Sequence, residues 1–522
     1  GDNADASGNS GATAVGDSAD ASGNESTALG EDSEASGTQS TAVGEQATAS
    51  FEHATAVGNF ARALAENSVS LGANAIATGL NSIALGYDSS ASGANAMALG
   101  AGAEASGLVS VALGYNSVAT AQRAMALGEF AEAKADGAVA LGYRADATAA
   151  DALAFGGLAD ATGVDSVSVG AVANAAGLSS VSVGGFSDAT QEGAIAIGGD
   201  GSDGGADGAQ ATGLNAVALG ADAESTDFGS VALGSASSAS RPDAMALGVG
   251  AEASGVFSVS IGSSTEATAN DAIALGRDAS ATGDRAIVLG EGASATERDA
   301  IALGRDASST ADWAIALGEG ASATSDWGVA VGYESTSSGS NALALGRRVE
   351  ATANFTTAVG PSAEASGVLS VALGDNSVAT AQSATALGSS ADATATEAIA
   401  LGYSADATAA DALAFGGFAD ATGVNSVSVG GVADAAGLSS VSVGSFSYAT
   451  QEGAIAIGGD SSDGDFDGAQ ATGLNAVALG ADSASSGEVS VALGGGSSAS
   501  ASNAVAIGRD ADANGDNSFA LG

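Results

Sequence analysis

The chain of 522 residues contains no cysteine and very little proline, lysine, histidine or aromatic residue: two Pro, one Lys, one His and 4% Phe, Trp and Tyr. Without cysteine, neither disulfides nor thiolate metal sites contribute to the fold. The scarcity of large side chains excludes a conventional globular core for a chain of this length. No stretch approaches 18 apolar residues, so no segment is expected to cross a membrane.

Positive charge is also scarce. Lys134 and eleven arginines stand against 61 Asp and Glu residues, which gives a formal net charge of −49. Nucleic acids and anionic membranes bind basic surfaces, so neither is expected as a partner of this segment. An acidic surface almost without lysine suits molar salt, where screening removes the self-repulsion. We therefore predict a halophilic source; the alternative is a merely acidic extracellular protein.

Glycine is abundant, with 79 residues, and 36 of these recur at a regular spacing. We call these 36 residues the anchor glycines, and we number the positions of each coil relative to its anchor. The anchors are Gly16 to Gly198, Gly220 to Gly458 and Gly480 to Gly522, each run in steps of 14 residues, with steps of 22 residues between the runs. A repeat that fills the chain predicts a solenoid or another repeat architecture.

Each 14-residue unit predicts two short strands. Position −1 always carries Val, Leu, Ile or Phe, position −3 is usually large and apolar, and positions −4 and −2 are nearly always Ala or Ser. This uncharged alternation predicts a first strand that is buried on both faces. Positions +3 and +5 carry Ala or Ser around a polar residue, which predicts a second strand with one wet face. Asn or Asp at position −5, as in Asn81 and Asp271, predicts a left-handed turn residue.

Two strands and two turns per unit predict an all-β fold, a parallel β-solenoid of 14-residue coils stacked into a rod. Whichever face of the first strand looks into the coil, the other face forms an uncharged stripe along all coils. Monomers rarely leave such a large uncharged surface exposed. We therefore expect identical chains to cover it, most simply in a closed ring.

Three segments carry a family resemblance: NSVSLGANAIATGLNSIALG (67–86), LNAVALGADAES (214–225) and NAVAIGRDADANG (503–515). They resemble the YadA-like head repeats of trimeric autotransporter adhesins, and similar repeats occur in viral tail fibres. The resemblance covers essentially the whole chain. It implies a left-handed parallel β-roll in which three chains associate through their first strands, so the homotrimer and the handedness are expectations from the family. The chain begins with Gly1, and we expect it to be a piece of a longer protein or a processed product.

The sequence also contains a repeat that is much longer than the 14-residue unit. ADATAADALAFGG occurs at 145–157 and again at 405–417, an offset of 260 residues. We predict one continuous solenoid over 1–522, a duplicated block at about 108–230 and 368–490, and inserted loops at 199–212 and 459–472. Modular lengthening of this kind suits a spacer or an array of equivalent binding sites.

The two inserted loops are acidic and rich in glycine. Carboxylates on such a loop are what a hard cation such as Ca²⁺ requires, although the spacing fits neither the EF-hand nor the nonapeptide calcium repeat. The alternative is a solvated loop without metal. The candidate ligands are Asp200, Asp203 and Asp207 in the first loop and Asp460, Asp463, Asp465 and Asp467 in the second.

Large aromatic residues occupy position −5 in a few coils. Trp313 and Trp327 take it on adjacent coils, and Phe257 and Phe355 take it elsewhere. Aromatic faces can bind sugars or a protein hot spot, so we predict a surface binding role for Trp313, Trp327 and Phe355. The alternative is a packing ladder that covers one turn.

Catalysis has little support in the sequence. His53 lies at a turn position where neighbouring coils carry Asn or Gln, which favours a surface residue over a catalytic base. The carboxylates occupy repeated solvent positions, and we expect no local departure that would shift a pKa selectively. Neither a phosphate-binding GxxxxGK[ST] loop nor a dinucleotide fingerprint is present. The chain is therefore predicted not to be an enzyme. No cofactor is indicated apart from the candidate Ca²⁺ of the inserted loops.

The predicted function is that of an extracellular trimeric fibre or adhesive head, on a cell or virion surface, that attaches its bearer to a cell, matrix or surface. Its ligand would be a protein or a glycan. A receptor-binding fibre of a virus that infects a halophile is the first alternative. A solenoid enzyme that acts on polysaccharides is the second, and a single carboxylate whose mutation abolished turnover would indicate it.

Overall fold

The fold is described from a computed structural model that covers residues 1–201, 205–461 and 467–522. The chain divides into two compact units, Gly1–Thr265 and Glu266–Gly522. Both are parallel β-solenoids of about 18 coils each, and the described residues form no helix. The predicted all-β solenoid is confirmed.

A first strand of three residues lies directly before every anchor glycine, at positions −3 to −1. In the first unit these strands begin with Thr13–Val15 and end with Val259–Ile261; in the second unit they extend from Ile273–Leu275 to Phe519–Leu521. Each pairs in parallel with the same positions of the next coil. Val111–Leu113, for example, pairs with Met97–Leu99 and Met125–Leu127. Equivalent positions of consecutive coils are therefore paired with each other.

A second strand of two residues lies at positions +4 and +5. It extends from Glu34–Ala35 to Glu252–Ala253 in the first unit and from Glu266–Ala267 to Asp512–Ala513 in the second. Single bridges at Asp5, Asp20 and Asp434 replace it in three coils. After each inserted loop the second strand comes eight residues later, at Gln210–Ala211 and Gln470–Ala471, yet it keeps its register with the preceding coil. The insertions therefore leave the stacking intact.

Small residues form the core. In the coil of Gly114 the buried positions −4, −2, +3 and +5 are Ser110, Ala112, Ser117 and Ala119, and all four are fully buried. Ser110 Oγ donates to the carbonyl oxygen of Gly107 at 2.8 Å, so the core serine is hydrogen-bonded inside its own coil. The core is thus one methyl or hydroxyl group thick on each side.

The large apolar residues point outward from the coil. Val111 at position −3 is half-buried and Leu113 at position −1 is 45% exposed. The prediction of a strand buried on both faces is therefore wrong for a single chain, because the coil has only two layers and no described residue covers the outward side of the first strands. The sequence left open which face looks inward, and the structure shows that it is the Ala and Ser face.

Two turn positions adopt the left-handed conformation. The predicted one at position −5 is confirmed, with φ of 57° at Asn81 and 55° at Asp271. A second, at position +2, was not predicted; Asn116 has φ of 51° there. Polar, apolar and aromatic residues all occur at +2, so its composition carries little signal.

The anchor glycine is required by close approach as well as by conformation. Gly114 has φ of 142°, a region that side chains disfavour. A Cβ atom on Gly114 would lie 2.3 Å from the carbonyl oxygen of Gly128 in the next coil. The anchor glycines therefore stack backbone against backbone, which explains why no residue other than glycine occupies the anchor position.

Candidate binding surfaces

The outward face of the first strands forms an apolar stripe in each unit. Positions −4 to −1 contain no charged residue in any coil. We call the side chains at positions −3 and −1 the apolar stripe. Its most exposed members are Val15, Leu85, Met97, Leu113, Met125, Phe155, Ile197 and Met245 in the first unit, and Leu289, Leu345, Leu387, Ile399, Phe415, Ile457, Phe519 and Leu521 in the second. A stripe of this extent marks an interaction surface.

Side chains at position −5 stack into ladders from coil to coil. His53 Nε2 lies 2.6 Å from Gln39 Oε1, and His53 Nδ1 lies 3.2 Å from Asn67 Oδ1. Asn67 in turn donates to Asn81 at 3.0 Å, and Asn81 donates to Asn95 at the same distance. His53 is thus an exposed member of a polar ladder, in agreement with its interpretation as a surface residue.

The two tryptophans stack on each other. The ring centroids of Trp313 and Trp327 are 4.5 Å apart and their planes differ by 13°. The guanidinium of Arg298, from the preceding coil, lies 4.2 Å from the Trp313 ring centroid and pairs with Asp312 at 2.9 Å. Trp313 therefore lies between a cation and a second ring. The packing-ladder interpretation describes Trp313 well, because both of its faces are in contact.

Other large residues at position −5 remain exposed. Trp327 is 52% and Phe355 is 56% exposed, and Leu369 takes the same position one coil beyond Phe355. Trp327 and Phe355 have φ of 61° and 59°, which bulky residues rarely adopt. Every coil places position −5 in this region, so the conformation belongs to the repeat, and it is the exposure of the two rings that leaves them available for contact. We call Trp313, Trp327 and Phe355 the aromatic turn column.

Carboxylates at position +4 depart from the sequence prediction. Burial raises the pKa of Asp146, Asp160 and Asp188 in the first unit. It also raises the pKa of Asp392, Asp406, Asp420 and Asp434 in the second unit. The expectation that no carboxylate is selectively shifted was wrong, because position +4 is only half exposed and the next coil covers part of each side chain. The signal was present in the sequence as Asp repeated at one position of consecutive coils.

Comparison with known families agrees with this geometry. The YadA head domain repeat matches the chain at 8–33, 35–61, 63–89, 91–117, 119–145, 175–200, 207–227, 228–251, 253–279, 281–307, 328–348, in overlapping matches over 351–461, and at 471–497 and 499–522. The chain belongs to the YadA head repeat family. Comparison with curated proteins gives no match.

The surfaces that these YadA head repeats leave exposed in one chain differ in composition. The apolar stripe is continuous in register within each unit, whereas apolar side chains on the turns form shorter columns, such as Leu158, Val172 and Phe186, that polar residues interrupt. Within the described part of the chain, no helix is long and apolar enough to span a bilayer. The stripe is therefore the main candidate for contact between subunits of this family.

The inserted loops of these head repeats are described only in part. Asp203, Asp463 and Asp465 lie outside the described residues, whereas Asp200, Asp207, Asp460 and Asp467 lie within them. The first loop returns to the coil where Gly208 N donates to the carbonyl oxygen of Phe186 at 3.1 Å. Across 1–201, 205–461 and 467–522, no three His, Asp or Glu side chains lie close enough together to hold a metal ion. Calcium binding by these loops stays a prediction.

Proposed function

We propose that this chain is part of an extracellular trimeric fibre that attaches its bearer to a cell, a matrix or another surface. The observation that carries the proposal is the apolar stripe, an uncharged and half-exposed surface that recurs in every coil of both units. Membership of the YadA head repeat family supports it, because the repeats of that family belong to adhesin heads.

The trimer would cover the stripe of each chain with the stripes of two others. Each coil contributes residues such as Val111 and Leu113. Because both are already about half-buried in one chain, covering the rest of one such side chain contributes roughly 1 kcal/mol. Summed over many coils, this contribution is far larger than the entropy lost on association. The small-residue core gives each coil little apolar burial of its own, so the interface between chains would supply much of the stability.

Attachment would depend on many equivalent contacts. The chain repeats its coil throughout and duplicates a block at an offset of 260 residues, so a trimer presents each surface feature at least three times. Linked weak sites bind with an avidity far above the affinity of one site. The aromatic turn column is our proposed ligand contact, because Trp327 and Phe355 present exposed aromatic rings.

The trimer arm of the test uses two sets of charge substitutions in the same coils. Leu275→Asp, Leu289→Asp and Leu303→Asp place carboxylates on the stripe of three consecutive coils. Thr282→Asp, Thr296→Asp and Thr310→Asp place them at the exposed position that follows the second strand in the same coils. In molar salt the first set should dissociate the trimer or sharply lower its melting temperature, and the second should preserve it. Equal effects of both sets would contradict an interface at the stripe.

The adhesion arm uses beads coated with the chain, applied to a glycan array and to an array of extracellular-matrix proteins. Trp327→Ala with Phe355→Ala should reduce retention on the spots that the native chain binds. A loss of about 1 kcal/mol at one site lowers its affinity about fivefold. Because several linked sites bind together, the loss of retention should be about tenfold or more. Asn341→Ala, in the coil between them, is the matched control. Retention unchanged by the aromatic pair would remove this ligand contact while leaving the trimer untouched.

A further inference from the structure

Four aspartates stack in register on consecutive coils of the second unit. Asp392 pairs with Asp406 and Asp406 with Asp420 along the second strands, and a parallel bridge joins Asp420 to Asp434. Parallel neighbours in a sheet lie about 4.8 Å apart. We call these four residues the carboxylate ladder.

The inner oxygen of each carboxylate is buried and has no protein partner. The Oδ1 atoms of all four are shielded from solvent, and none has a hydrogen bond to any described residue. A buried carboxylate oxygen without a donor is costly, and like charges directly opposite on neighbouring strands add to that cost. The charged ladder is therefore unfavourable in two separate ways.

The surroundings supply no positive charge. The sequence from 349 to 508 contains no Lys, Arg or His. The ladder lies between Val378 and Tyr448 at the same position of the flanking coils. The residues on either side of it, at positions +2 and +6, are uncharged: Ser390, Ser404, Phe418, Val432, Thr394, Thr408, Thr422 and Ala436. The remaining titratable groups of these and the adjoining coils are Glu364, Asp375, Glu397, Tyr403, Asp411, Tyr448 and Glu452, which are all acids or phenols.

We propose that the carboxylate ladder is an acid-responsive element: protonation converts four unpaired carboxylates into a run of carboxyl–carboxylate hydrogen bonds, which strengthens these coils in acidic surroundings. A proton bound to one carboxyl gives an O–H that donates to an oxygen of the adjacent carboxylate. One proton therefore provides a hydrogen bond to the aspartates of two consecutive coils. Such charge-assisted hydrogen bonds are short and strong. Burial, together with the neighbouring negative charges, raises the pKa of Asp392, Asp406 and Asp420, and burial alone raises that of Asp434.

The direction of the pH effect follows from linkage. A carboxyl whose pKa is higher in the folded than in the unfolded chain binds more protons when folded. Stability therefore rises as the pH falls through the raised pKa, and it levels off near the ordinary aspartate value of about 3.9. Above the raised pKa the ladder is fully charged, and the gain is absent.

The first copy of the duplicated block is an internal control. Asn174 stands where the second copy has Asp434, and its amide donates to Asp188 Oδ1 at 2.9 Å. Lys134, two residues beyond Glu132 of the same column, forms an ion pair with it. The amide thus relieves Asp188 and the ammonium group relieves Glu132, at the two ends of the equivalent column, whereas Asp146 and Asp160 between them keep buried Oδ1 atoms without a hydrogen bond to any described residue. Asp188, whose carboxylate already has a donor, should respond less to acid.

The experiment measures amide hydrogen exchange of the full chain in molar salt, near pH 7 and near pH 5, with rates corrected for intrinsic exchange. Molar salt suppresses the repulsion between distant charges. Protection of the amides of Asp406 and Asp420, which donate to Ala419 and Ala433 of the next coils, should rise at the lower pH by up to about tenfold per pKa unit of each carboxyl's shift. Protection of the Asp188 amide in the first copy, which donates to the carbonyl oxygen of Ala209, should rise less.

Two variants with equal charge change complete the test. Asp406→Asn with Asp420→Asn should raise protection near pH 7 and flatten the response, because amides donate as Asn174 does. Asp375→Asn with Asp411→Asn, at exposed turn positions, should keep the native response. An acid response that persists in the ladder variant, or that is as large at Asp188 as at Asp406 and Asp420, would overturn the proposal.

Discussion

The two copies of the duplicated block, about 108–230 and 368–490, share one backbone frame but differ in charge. The first copy contains Arg123, Lys134 and Arg144, and the second has Ser383, Thr394 and Ser404 at the equivalent positions. The strands keep the same lengths and register in both copies, apart from one second strand that becomes a single bridge at Asp434. The frame is therefore specified by the glycine, alanine and serine positions, and the outward turn and second-strand positions are free to change.

Aromatic contacts show how this freedom is used. In the first copy Arg144 lies 5.5 Å from the ring centroid of Phe130 and 5.4 Å from that of Tyr143. In the second copy the equivalent of Tyr143, Tyr403, packs edge to face against Phe418 at 5.1 Å. A cation–π contact in one copy is thus replaced by an aromatic pair in the other. Loss of the cations leaves the packing of this turn intact and leaves the nearby carboxylates without a counter-charge.

The largest predicted effect tests the shared frame. Gly156→Ala would place a Cβ atom 2.2 Å from the Gly170 carbonyl oxygen, whereas the Cβ of Gly157→Ala would lie 3.9 Å from the nearest atom, the Tyr143 carbonyl oxygen. We expect Gly156→Ala to destabilise its coils by about 3 kcal/mol or more and Gly157→Ala to change little.

Gly416→Ala and Gly417→Ala repeat that pair in the second copy, with Cβ distances of 2.3 Å and 3.9 Å. Local hydrogen exchange around each site measures all four variants. Unequal losses in the two copies would show that the frame is not common to them.

Most of this frame is predictable from the sequence. The 14-residue spacing, the two strands and the left-handed residue at Asn81 follow from glycine, alternation and turn chemistry. The inward face of the first strand does not follow, because Ala112 and Val111 are both uncharged and either side could be buried. The face that points inward is determined by the narrow separation of the two strand layers, which admits only small side chains. That separation depends on the tertiary structure.

The surface sites are less predictable. The aspartates at 392, 406, 420 and 434 are visible as a periodic column, but the burial of their inner oxygens depends on how closely the next coil covers them. Similarly, adjacent Trp313 and Trp327 suggest stacking, while the Arg298 cation on Trp313 depends on rotamers that no sequence pattern specifies. The two rings stack in the structure, and ligand binding by Trp313, Trp327 and Phe355 stays a prediction.

A reciprocal exchange between the copies should have an intermediate effect. Asn174→Asp removes the hydrogen bond to Asp188 and adds a charge to the column, so the first copy should lose about 1 kcal/mol near neutral pH. Asp434→Asn should stabilise the second copy by a similar amount. Hydrogen exchange of the affected coils measures both, and changes of the same sign would contradict the comparison.

A smaller effect is expected from the single lysine. Lys134→Thr gives the first copy the residue of the second and removes the ion pair with Glu132, whose side chain is 38% exposed. Exposed pairs contribute about 0.2–1 kcal/mol, so the loss should be near the lower value in molar salt and larger in dilute salt. Urea unfolding at two salt concentrations measures it. A loss that is independent of salt would indicate packing by the lysine stem instead.

The smallest predicted effect concerns calcium. The loop at 459–472 has four Asp residues and the loop at 199–212 has three, so we propose that the second loop binds Ca²⁺ more tightly. Dissociation constants on the order of 10⁻⁴–10⁻³ M are typical of extracellular modules. Calorimetry of the native chain, with Asp460→Asn and Asp467→Asn against Asp200→Asn and Asp207→Asn, should show the greater loss of heat for the first pair. No heat from the native chain at millimolar Ca²⁺ would end this proposal.

The most direct test of the account is the mass of the native chain in solution at molar salt, measured by light scattering. The chain has a mass of 48.4 kDa, and an apolar stripe covered by two further copies requires three times that value. A trimer would agree with the attachment fibre proposed here. A stable monomer would contradict it, because the outward valines and leucines of both units would then remain in water.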